Sequence, residues 1–234
     1  MVVNSWLQAF VLHRRAYRET SYLVDVFTAQ QGKVTVVAKG VRNSKSERKS
    51  LLQPFQPVNV QLTGKSELKN LTHIDADGPQ IPLRGTELFC GMYLNELLNR
   101  VLPVGLACES LFAFYRQTLD ELRDSDDIEV ILRRFEFELL QEMGVMAELS
   151  FEGESGLPVE PQRYYHFSAE FGVLPSTESR RPDRIPGSAL LDLSAGHWNP
   201  ASKRAAKSIN RAALQPLLGN KPLKSRDLFL AGRR

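Results

Sequence analysis

The stretch from Ser21 to Lys39, SYLVDVFTAQQGKVTVVAK, decides the reading of this 234-residue chain. Two runs rich in Val, Leu, Phe and Tyr, Ser21 to Thr28 and Lys33 to Lys39, show partial period-two alternation, and Gln31-Gly32 between them is short enough for a hairpin turn. Working outward, Trp6 to Leu12 is a third run of the same kind, and Val58 to Thr63 and Leu68 to Ile74 form a further pair around Gly64 to Glu67. Five short strands in about 75 residues suit a small closed barrel, which leaves no sheet edge open. Between the third and fourth strands lies VRNSKSERKS, Val41 to Ser50, with one apolar residue and five charges; it is expected to be a mobile loop.

After Asp77-Gly78-Pro79 the period becomes helical. Phe89, Tyr93, Leu97 and Val101 recur every four residues beside Cys90, Leu94 and Leu98, which predicts a helix at the buried centre of a bundle. A second helix is expected from about Glu109 to Arg123. A third follows Asp124, Asp126 and Asp127, carries Ile128, Ile131, Leu132, Phe135, Leu139 and Met143, and stops at Gly144. Gly and Pro mark a loop from Glu152 to Pro161, a small hairpin is expected between Tyr164 and Val173, and helices near Gly187 to Ser194 and Ala201 to Leu218 follow.

Composition is ordinary for a globular protein, 42% hydrophobic and 24% charged with a net charge of +3, which argues against a disordered or fibrous chain. The longest uncharged stretch, Ser50 to Gly64, is too short and polar to span a bilayer. The opening MVVNSWLQAFVLHRR puts its basic residues after the apolar segment and does not read as a secretory signal; Cys90 and Cys108 lie in helix-like apolar surroundings. A cytoplasmic chain with both thiols reduced is expected, and no membrane role. The charge is unevenly spread. Residues 1–80 hold 11 Lys and Arg against 6 Asp and Glu, residues 81–200 hold 10 against 20, and residues 201–234 hold 9 against 1. Net values of +5, −10 and +8 suggest two cationic surfaces for a polyanion around an acidic middle.

No catalytic constellation stands out, no cofactor is implied, and no metal site is expected. His13, His73, His166 and His197 stand alone, no Gly-rich phosphate loop or Gly-x-Ser-x-Gly elbow occurs, and the aspartates at 124, 126 and 127 read better as a helix N-terminus than as a two-metal nuclease site. The cations are more informative. Arg14, Arg15 and Arg18 are expected in the connection between the first two strands, Lys39 at the end of the third, and Arg42, Lys45, Arg48 and Lys49 in the long loop, where a small barrel would grip a nucleic-acid backbone. Of Trp6, Tyr17, Tyr22, Phe27 and Phe55, most are expected inside, with Tyr17 the choice for stacking on a base. In ASKRAAKSINRAALQPLLG, Lys203, Lys207 and Arg211 recur every four residues with Arg204 beside them, opposite Ala206, Ile209, Ala213 and Leu217; Lys221, Lys224 and Arg226 follow, before an apolar Leu228-Phe229-Leu230 anchor. Arg133 and Arg134 read either as helix pairs, Arg133 with Glu129 and Arg134 with Glu138, or as a site for an acidic peptide terminus.

The motifs AFVLHRR, ETSYLVDVFT, GKVTVVAKGVR, LLQPF, YLNELL, LRRFEFELL and GNKPLKSRDLF run in order through most of the chain, and together they resemble the RecO family of bacterial DNA repair and recombination mediators. The resemblance implies an α+β protein: a five-stranded OB-fold β-barrel over residues 1–80, then a helical-bundle C-terminal domain over 81–234 with an insert at about 151–180. It further implies a non-enzymatic protein of the RecF pathway, found with the nucleoid, that binds single- and double-stranded DNA and anneals complementary strands. Its implied protein partners are RecR and the acidic C-terminal tail of single-strand-binding protein, and it would indirectly help RecA onto coated DNA. Many members carry four cysteines as a zinc ribbon after the helices. The matching stretch here, Phe151 to Pro175, has none, so Tyr164, Tyr165, Phe167 and Phe171 are expected to hold it by packing. An RNA-binding barrel and a nuclease are the rival readings.

Overall fold

The computed structural model describes residues 5–42, 47–177 and 183–231; the side chains of residues 47 and 229–231 lie outside that description. Five strands, β1 (Leu7–Tyr17), β2 (Ser21–Thr28), β3 (Gly32–Ala38), β4 (Val58–Thr63) and β5 (Lys69–Ala76), close into a barrel in the order β1-β2-β3-β5-β4. All neighbours pair antiparallel except β3 and β5, which meet in parallel at Val36–Lys69 and Val37–Asn70. Alternate residues of every strand fill the barrel with Leu7, Ala9, Val11, Val24, Val26, Val34, Val36, Val58, Val60, Leu71 and Ile74.

β1 runs five residues past the expected Leu12. The connection to β2 therefore shrinks to Arg18–Thr20, and Arg14 and Arg15 lie within the strand rather than in a loop. A bulge between Val11 and His13 resets the register, and the freed carbonyls of Val11 and Leu12 accept hydrogen bonds from Asn95 Nδ2 at 3.5 and 3.3 Å. Asn95 is buried, and its Oδ1 accepts from the Tyr115 hydroxyl, whose pKa burial pushes far up so that it stays a donor.

The expected loop at 41–50 is also corrected in part. Glu47–Leu51 forms a short helix, α1, while Val41 and Leu52 are buried under the barrel; the intervening residues, Lys45 among them, lie outside the described part. The segment is anchored in two ways: Val41, Leu51 and Leu52 pack on the barrel core, and the cations between them reach backbone carbonyls.

Five longer helices and a short last one follow: α2 (Gly85–Val101), α3 (Glu109–Asp124), α4 (Ile128–Glu142), α5 (Gly187–Ser194), α6 (Pro200–Leu218) and α7 (Ser225–Ala231). The chain forms two compact units, one of residues 1–126 and 222–234, the other of residues 127–221. In the first, α2 packs on β1, α3 and α7, which explains its wide apolar circumference. Phe10 and Phe27, on the barrel's outer side, meet Phe112 and Tyr115 of α3 with ring centroids 5.1–6.2 Å apart. Gly32 sits so close to the Leu106 carbonyl that a Cβ would fall 1.7 Å from its oxygen, so only glycine brings the β2–β3 turn against the α2–α3 connection.

In the second unit α4 and α5 pack on α6, and β6 (Tyr164–Ser168) pairs with β7 (Gly172–Pro175) and β8 (Ile185–Pro186). Tyr165 and Phe167 are buried as expected of the insert. Tyr164 is exposed because alternate residues of a single-layer sheet must face water, and Phe171 because it lies in the turn between β6 and β7. No helix among the described residues is long and apolar enough to cross a membrane.

Candidate nucleic-acid interface

Residues directly opposite in an antiparallel pair share a face, and this sorts the barrel's cations. His13 faces Asp25, Arg15 faces Leu23 and Tyr17 faces Ser21, so all three lie on the outer face of β1 and β2, beyond the part covered by α3. On β3, Thr35 stands opposite Asp25, and Lys33 opposite Phe27. Asp25 is the buried centre of this face. Its Oδ1 accepts from the Thr35 hydroxyl at 2.7 Å, while Oδ2 lies 3.7 Å from His13 Nδ1 and 3.9 Å from Arg15 Nη1. Lys33 donates through Nζ to the Asn99 carbonyl at 2.7 Å. Burial pulls its pKa down, and the Asp25 carboxylate opposes that pull.

Arg14 faces Val24 instead and so belongs to the inner side of the strand. Its guanidinium donates to the carbonyls of Leu52 at 3.0 Å and Lys49 at 3.5 Å and lies over the Tyr22 ring. From there a chain of contacts continues. Lys49 Nζ donates to the Arg42 carbonyl at 2.9 Å, Arg42 Nη1 donates to the Arg18 carbonyl at 3.2 Å, and Arg18, at positive φ in the turn, covers the Tyr17 ring. Arg48 reaches the Leu71 and Thr72 carbonyls. The structure thus gathers Arg14, Arg18, Arg42, Arg48 and Lys49 into one cluster, four of them fixed by donation to backbone carbonyls and Arg18 by the Tyr17 ring; Arg18 and Arg42 are exposed, the other three half-buried. Lys39 is exposed just after β3, and Lys45 lies outside the described residues. Of the aromatic candidates, Phe27 and Phe55 are buried, Tyr17 is half-buried on the outer face, and Trp6 is exposed, its ring edge-on to His73.

The second unit presents a different surface. Asn199 caps α6 by accepting from the Ala201 and Ser202 N–H groups, and Ala205, Ala206, Ile209, Ala213 and Leu214 bury its apolar face. Arg204, Lys207 and Arg211 then line up along the exposed face. Lys203 departs from this stripe: its ammonium pairs with Asp127, the N-cap of α4, whose carboxyl that bond holds below the usual range.

Arg133 pairs with Glu136 rather than with Glu129. Its Nη1 donates at 2.7 Å to the fully buried Glu136, which also accepts from Asn210 Nδ2 at 2.9 Å, while Asn210 reaches the Arg133 carbonyl at 3.1 Å. This network ties α4 to α6. Glu129, one turn toward the N-terminus, stays exposed while Glu136 points inward, and helical spacing does not distinguish the two.

Near the C-terminus, the N–H groups of Lys224 and Ser225 donate to the Glu96 carboxylate at 2.9 and 2.8 Å, and Arg100 lies 3.7 Å from it. Burial pushes this carboxyl up. The two N–H groups, the Ser225 hydroxyl and Arg100 outweigh that and hold it below the ordinary range. Arg226 is exposed beside this anchor. Lys221 falls in the second unit while Lys224 and Arg226 fall in the first. The apolar anchor itself is described only at Leu228, which is exposed; the Phe229 and Leu230 side chains lie outside the described residues.

The insert is closed by backbone hydrogen bonds and a small aromatic interior. Its interior holds Tyr165 and Phe167, its turns close through Glu152 N–H to the Leu157 carbonyl and Gly153 N–H to the Val173 carbonyl, and Tyr165 Oη accepts from the Glu160 N–H at 2.9 Å. Among the described residues no group of three or more His, Cys, Asp or Glu side chains converges. Buried Tyr165 and Phe167 fill the insert, which has no cysteine between Phe151 and Pro175, and its residues do not fit zinc.

A closed five-stranded barrel in this order, with cations gathered about its first hairpin and a helical region after it, defines an OB-type protein with the equipment for a polyanionic ligand. Comparison with known sequences makes this specific. The family description "Recombination protein O N terminal" matches residues 1–77, and "Recombination protein O C terminal" matches residues 83–227. The chain is 51% identical to the DNA repair protein RecO of Alteromonas mediterranea over 232 residues, 99% of each chain. It is 45% identical to that of Pseudoalteromonas atlantica over 223 residues, covering 95% of this chain and 93% of the other. The chain belongs to the RecO family, and its role lies in DNA repair.

Proposed function

We propose that this protein binds single- and double-stranded DNA through the phosphate backbone, anneals complementary strands and, with RecR, helps load RecA onto DNA coated by single-strand-binding protein, in the cytoplasm at the nucleoid and without catalytic turnover. The observation that carries this reading is the pair of separate cationic surfaces, one about the β1–β2 hairpin and α1, the other the Arg204, Lys207 and Arg211 stripe. Backbone contacts without base readout make affinity fall steeply with salt, and screening the phosphates of two strands on one protein lowers their mutual repulsion, so pairing follows from proximity. The acidic-tail reading keeps Arg133 and Arg134, with Arg133 already committed to Glu136.

The deciding experiment is strand annealing on DNA precoated with single-strand-binding protein, comparing wild type with a charge reversal at Arg14, Arg15 and Lys207. Loss of annealing together with a flatter salt dependence of binding is expected; an unchanged salt slope refutes the interface. Titrating a labelled acidic tail peptide against an Arg133→Ala, Arg134→Ala variant, with Arg134→Ala alone as the fold-sparing control, tests the partner site.

A further inference from the structure

The outer face of β1, β2 and β3 holds a charge that a DNA-binding surface would not be expected to keep. Asp25 is the only acidic residue in the run Ser21–Thr28, it is buried, and it stands amid Arg15, Lys33 and the His13 imidazole. Its Oδ2 lies 3.7 Å from His13 Nδ1 and 3.9 Å from Arg15 Nη1, longer than a tight hydrogen bond, and Lys33 feels its charge from the neighbouring strand. Its Oδ1 is fixed by the Thr35 hydroxyl, so the carboxylate cannot swing away. Arg15 and His13 are each more than half exposed at their side chains, so their outer sides remain open to a ligand.

We propose that Asp25 is an internal competitor for DNA phosphate: it holds Arg15 ready on the strand face beside the His13 ring while no DNA is bound, and it opposes every phosphate that Arg15 accepts. The proposal rests on the reading of this face as a DNA interface and adds how strongly the face grips. A phosphate drawn to Arg15 approaches a buried carboxylate that low solvation leaves poorly screened, and like charges facing each other across an interface weaken the complex. Arg15 therefore exchanges one anion for another instead of leaving bulk solvent, so fewer counterions are released per phosphate bound. The outcome is a face ordered before binding and quick to release, suited to a protein that must hand a strand to its complement.

The test is Asp25→Asn, which keeps the oxygen that Thr35 bonds and removes the charge. Affinity for single-stranded DNA at moderate salt is expected to rise by about threefold to tenfold, with a slower dissociation rate and a salt slope steeper by about one. Arg15→Glu is measured beside it. If Arg15→Glu leaves binding unchanged, this face is not the DNA interface and the underlying reading falls. If Arg15→Glu weakens binding while Asp25→Asn, melting like wild type, binds the same or more weakly, the competitor role alone is overturned. Should Asp25→Asn fail to fold, the side-chain carboxyl carbon resonance of Asp25 in the wild type decides: it is expected to shift as DNA is titrated in, and a resonance that stays still while the Arg15 Nε signal moves overturns the proposal.

Discussion

The barrel cluster and the α6 stripe carry the same kinds of side chain and differ in what holds them. At the barrel, Arg14, Arg42, Arg48 and Lys49 each donate to backbone carbonyls of a neighbouring segment, and Arg15 leans on Asp25. Those cations also build the fold, because they help Val41, Leu51 and Leu52 to anchor a segment that is otherwise charged. Along α6, Arg204, Lys207 and Arg211 stand in solvent while alanines and Ile209 do the packing. The contrast teaches that one composition signal covers two designs. One surface is ordered in advance at the cost of part of its charge, and the other keeps its full charge but must order three flexible side chains on binding.

The stripe's independence rests on the network beneath it, and breaking that network is the largest effect expected. Arg133→Met takes from the fully buried Glu136 the guanidinium that donates to it at 2.7 Å and should cost about 3–5 kcal/mol in urea unfolding, whereas adding Glu136→Leu should recover much of the loss. A smaller loss follows acidification at the end of the chain. Because the Glu96 carboxyl is held below its ordinary range in the folded protein, its contribution is complete above about pH 4.3 and fades as pH falls toward the lower folded value. The amide resonances of Lys224 and Ser225 should report α7 loosening over that window, and Glu96→Gln should weaken docking by about 1–2 kcal/mol and abolish the step. Smallest, and most direct for the comparison, is a pair of neutralisations. Arg14→Gln should lower both the salt slope of DNA binding and the stability, the latter by about 1 kcal/mol. Lys207→Gln should lower the slope by about one while stability stays within about 0.5 kcal/mol. Equal stability effects would erase the distinction drawn between the surfaces.

Much of this fold is legible along the chain, for a physical reason. SYLVDVFT and KVTVVAK alternate because one side fills the barrel, and α2 to α4 show their period because each buries a stripe. The end of β1 is not legible. HRRAY, beyond the reach of α3, faces water outside and the barrel mouth inside, so nothing demands apolar residues. The helix α1 and the terminal α7 escape notice for a related reason, since their anchors are carbonyls and the Glu96 carboxylate, distant in sequence and silent in any pattern. The positions of the site cations could be read, but not their commitments: Lys203 turns to Asp127, Arg133 to Glu136, and Arg14 away from Arg15. Asp25 left one trace, a lone acid inside an apolar strand.

The last residues close the first unit. The chain departs from it at Asp126, builds the whole second unit, and returns at Pro222 so that α7 can dock on α2 through Glu96. On the ribosome this order matters. The barrel and its two helices emerge early, yet α2 keeps a bare flank until the whole second unit has been translated, because its remaining partner, α7, follows that unit in the chain. The first unit of a nascent chain therefore stays incomplete while the second is made, and a frameshift before α7 would damage the part made first.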